Sequence, residues 1–255
     1  MYQLKDVKVV REERVILNVE DLTIDPNALT VVLGHNGSGK STLVNLLANQ
    51  FVPEEGEVML NQQKLTALNA KEFAKKVAFL PQKLPEVAGL NVEELVRLGR
   101  YPWRGVLGRF NKDDAVIIED SMLKTGVNEF RNTLADQLSG GERQRAWVAM
   151  LLAQQSDILI LDEPTSALDI HHQYQLMELL SDLNQKTGKG IIVILHDLNL
   201  TLRYATDIIA LKSGDIAFHG KAHHLLDETL LSDLYTTSIK LIDHPEHNHK
   251  VAIVC

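Results

Sequence analysis

The chain has almost no cysteine. Its single one, Cys255, is the last of 255 residues, so no internal disulfide is available and a reducing compartment such as the cytosol is expected. An apolar leader is also missing: the start, MYQLKDVKVVREER, is charged, and secretion is not expected. No apolar run approaches the roughly 20 residues that span a bilayer, so any membrane association is expected to run through a partner. Basic excess is absent too. With 34 acids against 26 bases the formal net charge is −8, which makes a poor generic polyanion binder and argues against nucleic acid. Repeats and low-complexity segments are lacking.

What is present is 45% hydrophobic residues, enough for one large domain or one core with an inserted subdomain. Residues 2–32 hold short alternating runs, at 7–10 and 15–22, that read as strands of an antiparallel edge sheet. Residues 29–33 form a buried strand running into a glycine-rich turn, and a helix is expected from about Lys40 through Leu43, Leu46 and Leu47. Further apolar strands are expected at 76–80, 158–161 and 190–195. The last two flank a helix at about 171–186. Such alternation indicates a parallel sheet covered on both faces, hence an α/β fold. Between 83 and about 137, helical spacing at 92–98 and 115–123 brackets an aromatic and glycine-rich loop, Gly99-Arg100-Tyr101-Pro102-Trp103-Arg104-Gly105. This reads as an inserted helical subdomain. After Glu142 comes another helix. Short strands and one helix are expected from 208 to 255.

Three constellations carry chemistry. Gly34-His35-Asn36-Gly37-Ser38-Gly39-Lys40-Ser41 fits G-x-x-x-x-G-K-S/T between a strand and a helix. Its glycines let backbone N–H groups face phosphate oxygens, and the helix adds its positive end. Lys40 is expected to reach the β- and γ-phosphates, Ser41 to ligate Mg²⁺, and Thr42 to add a donor near the α-phosphate. Residues 158–163 are four apolar residues ending in Asp162 and Glu163. Asp162 is expected in the Mg²⁺ shell and Glu163 is expected to polarise the attacking water. Leu138-Ser139-Gly140-Gly141-Glu142 is a second anion nest at a helix N-terminus. One γ-phosphate does not need two nests from one chain, so the second is expected to close over the nucleotide of another subunit. Read alone, it is a helix start with Ser139 as cap.

At this point the chain resembles the ATPase subunits of ABC transporters, with motifs in order over residues 34–196. Residues 34–41 resemble the family's Walker A and LSGGERQ its signature. Residues 158–162 resemble Walker B, followed by Glu163 as catalytic glutamate. The resemblance implies that Gln82 is the Q-loop glutamine, binding Mg²⁺ or water and sensing a transmembrane partner. It likewise implies that Ser166-Ala167-Leu168-Asp169 is the D-loop, with Asp169 at a subunit boundary, and that His196 is the switch histidine. The implied fold is a P-loop ABC ATPase core (1–82 and 156–255) with an antiparallel β subdomain and an inserted α-helical signature subdomain (83–155). The implied assembly is a homodimer that sandwiches ATP and Mg²⁺. It would be peripheral at the cytoplasmic face of the inner membrane, served by a permease and, indirectly, by a substrate-binding protein. The family's usual adenine-stacking aromatic is missing from residues 9–15, which leaves Val10 or Arg11 to cover the base of ATP.

Residues 85–103, with GRYPW…LGRF, FLPQ-LP, SGGERQRAW and LDEPTSALDI, resemble the ATPases of iron-siderophore and cobalamin importers, the ferric-hydroxamate group most of all. The implied cargo is a ferric siderophore; cobalamin, haem or another siderophore class is the alternative. Tyr101, Trp103 and Phe110, with Arg100, Arg104 and Arg109 as a cationic fringe, read as a permease docking patch. A soluble ABC ATPase acting on DNA or ribosomes would be expected to show tandem cassettes, coiled coils or basic arms. A non-catalytic module would not need Lys40, Asp162, Glu163 and His196 together. His171, His172, His223, His224, His244, His247 and His249 lack an acid- or cysteine-rich shell and read as solvated or packed residues rather than a metal site.

Overall fold

The computed structural model describes residues 1–104, 108–246 and 250–255. Gly105, His247 and His249 lie outside the described residues. The chain opens with β1 (Tyr2–Arg11), β2 (Arg14–Ile24) and β3 (Leu29–Leu33), then α1 (Lys40–Leu47), β4 (Glu55–Leu60) and β5 (Gln63–Lys64). Next come α2 (Ala70–Lys76), β6 (Val77–Leu80), α3 (Val92–Leu98), α4 (Tyr101–Arg104), α5 (Lys112–Lys124) and α6 (Gly140–Ala153). There follow β7 (Ile158–Leu161), α7 (Ile170–Thr187), β8 (Gly190–Ile194), α8 (Leu198–Tyr204), β9 (Asp207–Lys212) and β10 (Asp215–Lys221). The end is α9 (Glu228–Tyr235) with the hairpin β11 (Ile239–Asp243) and β12 (Lys250–Val254). Two compact units result, residues 1–68 with 183–255, and residues 69–182.

In the first unit, β1 and β2 form a long antiparallel pair, and β4 joins the other side of β1. Alternate residues such as Leu4, Val7, Val9, Leu17 and Val19 are buried, as a sheet with one covered face requires. The sheet changes character at β3, whose five residues are all buried. It runs parallel to β8 on one side and β9 on the other. Continuous burial in parallel strands is what the apolar runs imply. The C-terminal hairpin is closed at both outer edges by side chains. Asn199 bonds both the N–H and the C=O of Ala252, at 2.8 and 3.3 Å. Glu228 accepts from Leu241 N–H at 2.8 Å and Ser232 from Ile239 N–H at 3.0 Å.

In the second unit, β6 and β7 pair in parallel, and α3, α5 and α6 pack together. The helices start sharply because Asn69, Asn91, Asn111 and Ser139 each form a capping box with the acid three residues on. Two local expectations need correction. The aromatic loop contains a helical turn, α4, because Arg100 O accepts from the N–H groups of Trp103 and Arg104. The signature helix also begins at Gly140 rather than after Glu142, since Ser139 caps it. Among the described residues no helix is long and apolar enough to cross a membrane.

Candidate active site

The phosphate loop of the first unit is built from backbone. Gly34, Gly37 and Gly39 have φ of 144°, 79° and 101°, a region glycine enters without a Cβ penalty. At Gly34 a Cβ would lie 2.3 Å from Leu211 O and 2.5 Å from Ser38 Oγ, so no side chain fits. Gly39 abuts β2, where a Cβ would lie 2.9 Å from Ile16 O. The Ser213-Gly214 turn braces the loop from outside, with Gly214 N–H donating to Ser38 O at 3.0 Å. That turn is visible in the sequence only as a Ser-Gly dipeptide.

Lys40 is buried, and its Nζ donates to Gly34 O at 2.9 Å and His35 O at 3.0 Å, so its charge sits within the curl of the loop. The helix behind it, α1, starts on left-handed Gly39 with no side-chain cap and no acid in its first turn. Its positive end is therefore left for a ligand anion. Ser38 Oγ is buried with no hydrogen-bond partner among the described residues, a costly arrangement in a folded chain and one that suits a polar ligand. His35, Asn36, Ser41 and Thr42 complete this segment. His196 follows β8 at the same sheet end, because Val32 and Ile194 are register partners on neighbouring parallel strands.

The upstream β1–β2 turn places no aromatic ring on residues 9–15. Arg11 is engaged elsewhere: its Nη1 meets Glu54 Oε1 at 2.6 Å, and its guanidinium lies 4.9 Å from the Phe51 ring centroid.

The second unit presents its candidate residues through side chains. Leu80 and Leu161 are partners at the ends of β6 and β7, so residues two further on emerge at the same level. There Gln82 Nε2 donates to Glu163 Oε2 at 2.6 Å. Asp162 is buried at the strand end, its N–H bonded to Leu80 O at 2.9 Å. Glu163 has φ of 50°, an uncommon left-handed conformation for a residue with a Cβ. It is held by a turn in which Ser166 N–H and Oγ both donate to Glu163 O, at 3.2 and 3.0 Å. Strain of this kind concentrates at functional positions.

In the LSGGE segment the structure shows the helix start with Ser139 as cap. Ser139 caps α6, its N–H donating to Glu142 Oε2 at 2.8 Å and its Oγ accepting from Glu142 N–H at 3.3 Å. Those contacts with Ser139, aided by Arg145 and His172, hold the Glu142 carboxyl below its usual range. Glu142 is thus a brace of the helix start. Gly140 and Gly141 lie against the D-loop, where their Cβ positions would meet Ala167 O at 4.0 Å and Leu168 Cδ2 at 3.4 Å.

Asp169 caps α7 and is gripped by His172, one of the histidines expected to be solvated or packed. His172 N–H donates to Asp169 Oδ1 at 2.9 Å, and His172 Nδ1 lies 2.9 Å from each carboxylate oxygen. The backbone N–H first, and the ring second, hold the Asp169 carboxyl below its usual range.

Of the arginine fringe expected around the aromatic patch, Arg109 is exposed, while Arg100 and Arg104 need correction. Arg100 is buried, with Nε 3.0 Å from Asp114 Oδ1, and Arg104 Nε lies 2.6 Å from Asp114 Oδ2. Both charges are spent inside the unit. Tyr101, Trp103 and Phe110 remain 46%, 40% and 37% exposed. Trp103 is nevertheless anchored, with its ring N–H donating to Gln154 O at 2.6 Å.

Strand, glycine-rich curl and uncapped helix together define a P-loop nucleotide-binding protein. The model of the family described as ABC transporter matches residues 17–166. The chain is 38% identical to a petrobactin import ATP-binding protein, FpuD, of Bacillus anthracis, over 91% of this chain and 85% of that one. It is 40% identical to the ferric enterobactin transport ATP-binding protein FepC of Escherichia coli K12, covering 89% and 84%. It is 36% identical to the iron(3+)-hydroxamate import ATP-binding protein FhuC of Bacillus subtilis 168, covering 94% and 90%. Among solved structures it matches the dimeric ATP-binding cassette MJ0796 in a post-hydrolysis state with ADP and Pi. That match has TM-score 0.77 and 31% identity and covers 87% of this chain and 99% of that one. This chain belongs to the ABC transporter ATP-binding family.

Proposed function

We propose that the chain is the ATP-hydrolysing subunit of a ferric-siderophore importer. The observation that carries the reading is the phosphate loop, with Lys40 drawn into a glycine curl in front of an uncapped helix end. The cargo reading rests on relatives named for petrobactin, enterobactin and hydroxamate chelates. The GRYPW region favours the hydroxamate class; cobalamin or haem is the runner-up.

The chemistry follows from the residues. Glu163 orients a water whose oxygen attacks the γ-phosphorus as the bond to the β–γ bridging oxygen breaks, yielding ADP and inorganic phosphate. Its strained turn and the Gln82 hydrogen bond fix the direction of its carboxylate. Lys40 offsets charge on the transferring oxygens, and His196 donates to the γ-phosphate. Ser41, Asp162 and Gln82 offer a hydroxyl, a carboxylate and an amide oxygen, a hard-oxygen set that suits Mg²⁺. Gln82 spends its N–H on Glu163, so its carbonyl oxygen is the atom it offers to the cation. Bound there, Mg²⁺ would neutralise charge between the β- and γ-phosphates.

In the working dimer, Ser139, Gly140 and Gly141 of one subunit face the nucleotide of the other, with Asp169 at the boundary. Residues 83–155 act as the signature subdomain, and Tyr101, Trp103 and Phe110, together with Gln82, receive a permease at the cytoplasmic face of the membrane. A substrate-binding protein delivers the chelate from outside.

Reconstitution with its permease and binding protein, followed by ATP-dependent uptake of labelled ferric hydroxamate, catecholate and cobalamin, tests the reading. Uptake of none of these chelates would sink the cargo assignment. Absence of ATP hydrolysis in the assembled complex would sink the whole. Tyr101→Ala with Trp103→Ala is expected to lose co-purification with the permease; unchanged co-purification would remove the docking patch.

A further inference from the structure

We infer that His172 and Gln173 are positioning residues for the D-loop, clamping it onto the signature helix as one preset block. The inference rests on Asp169 acting at the subunit boundary, as proposed above.

Apart from the Ser166 bonds to Glu163 O and the Leu168 N–H bond to Thr165 O, the D-loop is held from the helix that follows it. Ser166, Ala167, Asp169 and Ile170 are exposed, Ile170 at 74%. Exposed backbone of this kind ordinarily samples many conformations. Here the first turn of α7 reaches back along the loop. Gln173 Nε2 donates to Leu168 O at 3.0 Å and to Thr165 O at 3.2 Å, so one amide bridges both sides of the loop's bend. Gln173 N–H also donates to Asp169 O at 2.9 Å.

His172 does the complementary task on the side chain. Its Nδ1 stands equidistant from both oxygens of Asp169, 2.9 Å from each, while its backbone N–H takes one of them. Since Asp169 can only accept, Nδ1 carries the proton in this contact, and Nε2 faces away from it. The carboxylate is therefore held in one rotamer by two donors of a single residue.

The block extends to the signature. Leu168, whose carbonyl Gln173 holds, carries the Cδ2 that sits against Gly141. A shift of the D-loop would thus be felt at both signature glycines. A pre-set geometry of this sort removes an ordering cost at the moment two subunits meet.

The test uses ATP turnover by the full-length chain. His172→Ala is expected to lower kcat about tenfold, the scale of one charge-assisted hydrogen bond, with KM for ATP within about twofold. His172→Asn, whose amide nitrogen reproduces the Nδ1 position, is expected to restore activity to within about twofold of wild type. His172→Gln, which places its nitrogen near Nε2 instead, is not. In an Asp169→Ala background, His172→Ala is expected to add nothing. Melting temperatures of all variants separate these effects from unfolding. If Asp169→Ala lowers kcat but His172→Ala does not, or if Asn and Gln rescue equally, the clamp is wrong and the D-loop reading stands. If Asp169→Ala itself leaves turnover unchanged, that reading falls and the clamp falls with it.

Discussion

The phosphate loop and the Glu163 region do related work by opposite means. Residues 34–40 are shaped by backbone: three glycines at positive φ, a brace from Gly214 N–H, and a lysine bonded to carbonyls. In the second unit side chains set the geometry: Gln82 pairs with Glu163 and His172 with Asp169, and Ser139 and Glu142 each accept from the other's backbone N–H. Backbone cradles suit an anion that must be gripped identically in every cycle. Side-chain pairs exchange partners at low cost, which suits the response to a second subunit and a permease proposed for this region.

The contrast can be broken most severely at Glu163. Glu163→Gln keeps shape and hydrogen-bonding reach but loses the base, and turnover is expected to fall by about a thousandfold while ATP still binds. Size-exclusion in ATP is expected to show a persistent dimer; normal turnover would remove Glu163 from its role. Next, Gly34→Ala forces a methyl against Leu211 O and displaces the cradle, and ATP affinity measured by titration is expected to drop about a hundredfold.

Asp114 supplies a third break, in stability. Burial alone would push its carboxyl up, but Asn111 N–H and the guanidinium groups of Arg104 and Arg100 outweigh that and hold it below its usual range. Its stabilisation is therefore full above the unfolded value of about 4 and is lost as pH falls below it. Asp114→Asn is expected to cost about 3 kcal/mol in neutral denaturant melts and to flatten the acid limb. An unchanged acid limb would move the pH sensitivity elsewhere. Smallest is Gln82→Ala, expected to lower kcat about tenfold by freeing the Glu163 carboxylate; an equal rise in KM with kcat intact would instead make Gln82 a binding residue.

The backbone-built half of the site is the half legible in the sequence. A buried apolar run, a spaced set of glycines and a lysine lie within a dozen residues, and each reports on its neighbours. The helices at 92–98 and 115–123 were legible for the same local reason, their 3.6-residue period. The side-chain pairs were not. That Gln82 meets Glu163 follows only once β6 and β7 are known to run parallel with Leu80 opposite Leu161. His172 lies three residues from Asp169, but the contact depends on the ring's rotamer at the helix start, which spacing alone does not give. Arg100 was misread for a related reason: a charge beside aromatics looks like a fringe until Asp114, fourteen residues on, turns it inward.

The C-terminal hairpin has a consequence of another kind. A two-stranded ribbon near a chain end offers two unpaired backbone rows, the template on which stray strands add and fibrils grow. Asn199 occupies one row at Ala252, and Glu228 and Ser232 occupy the other at Leu241 and Ile239. The amide and the carboxylate act as chain terminators for sheet growth. Replacing Asn199 and Glu228 with valine would leave the fold's interior untouched yet bare both rows, and light scattering is expected to show self-association of that variant at concentrations where the unaltered chain shows none.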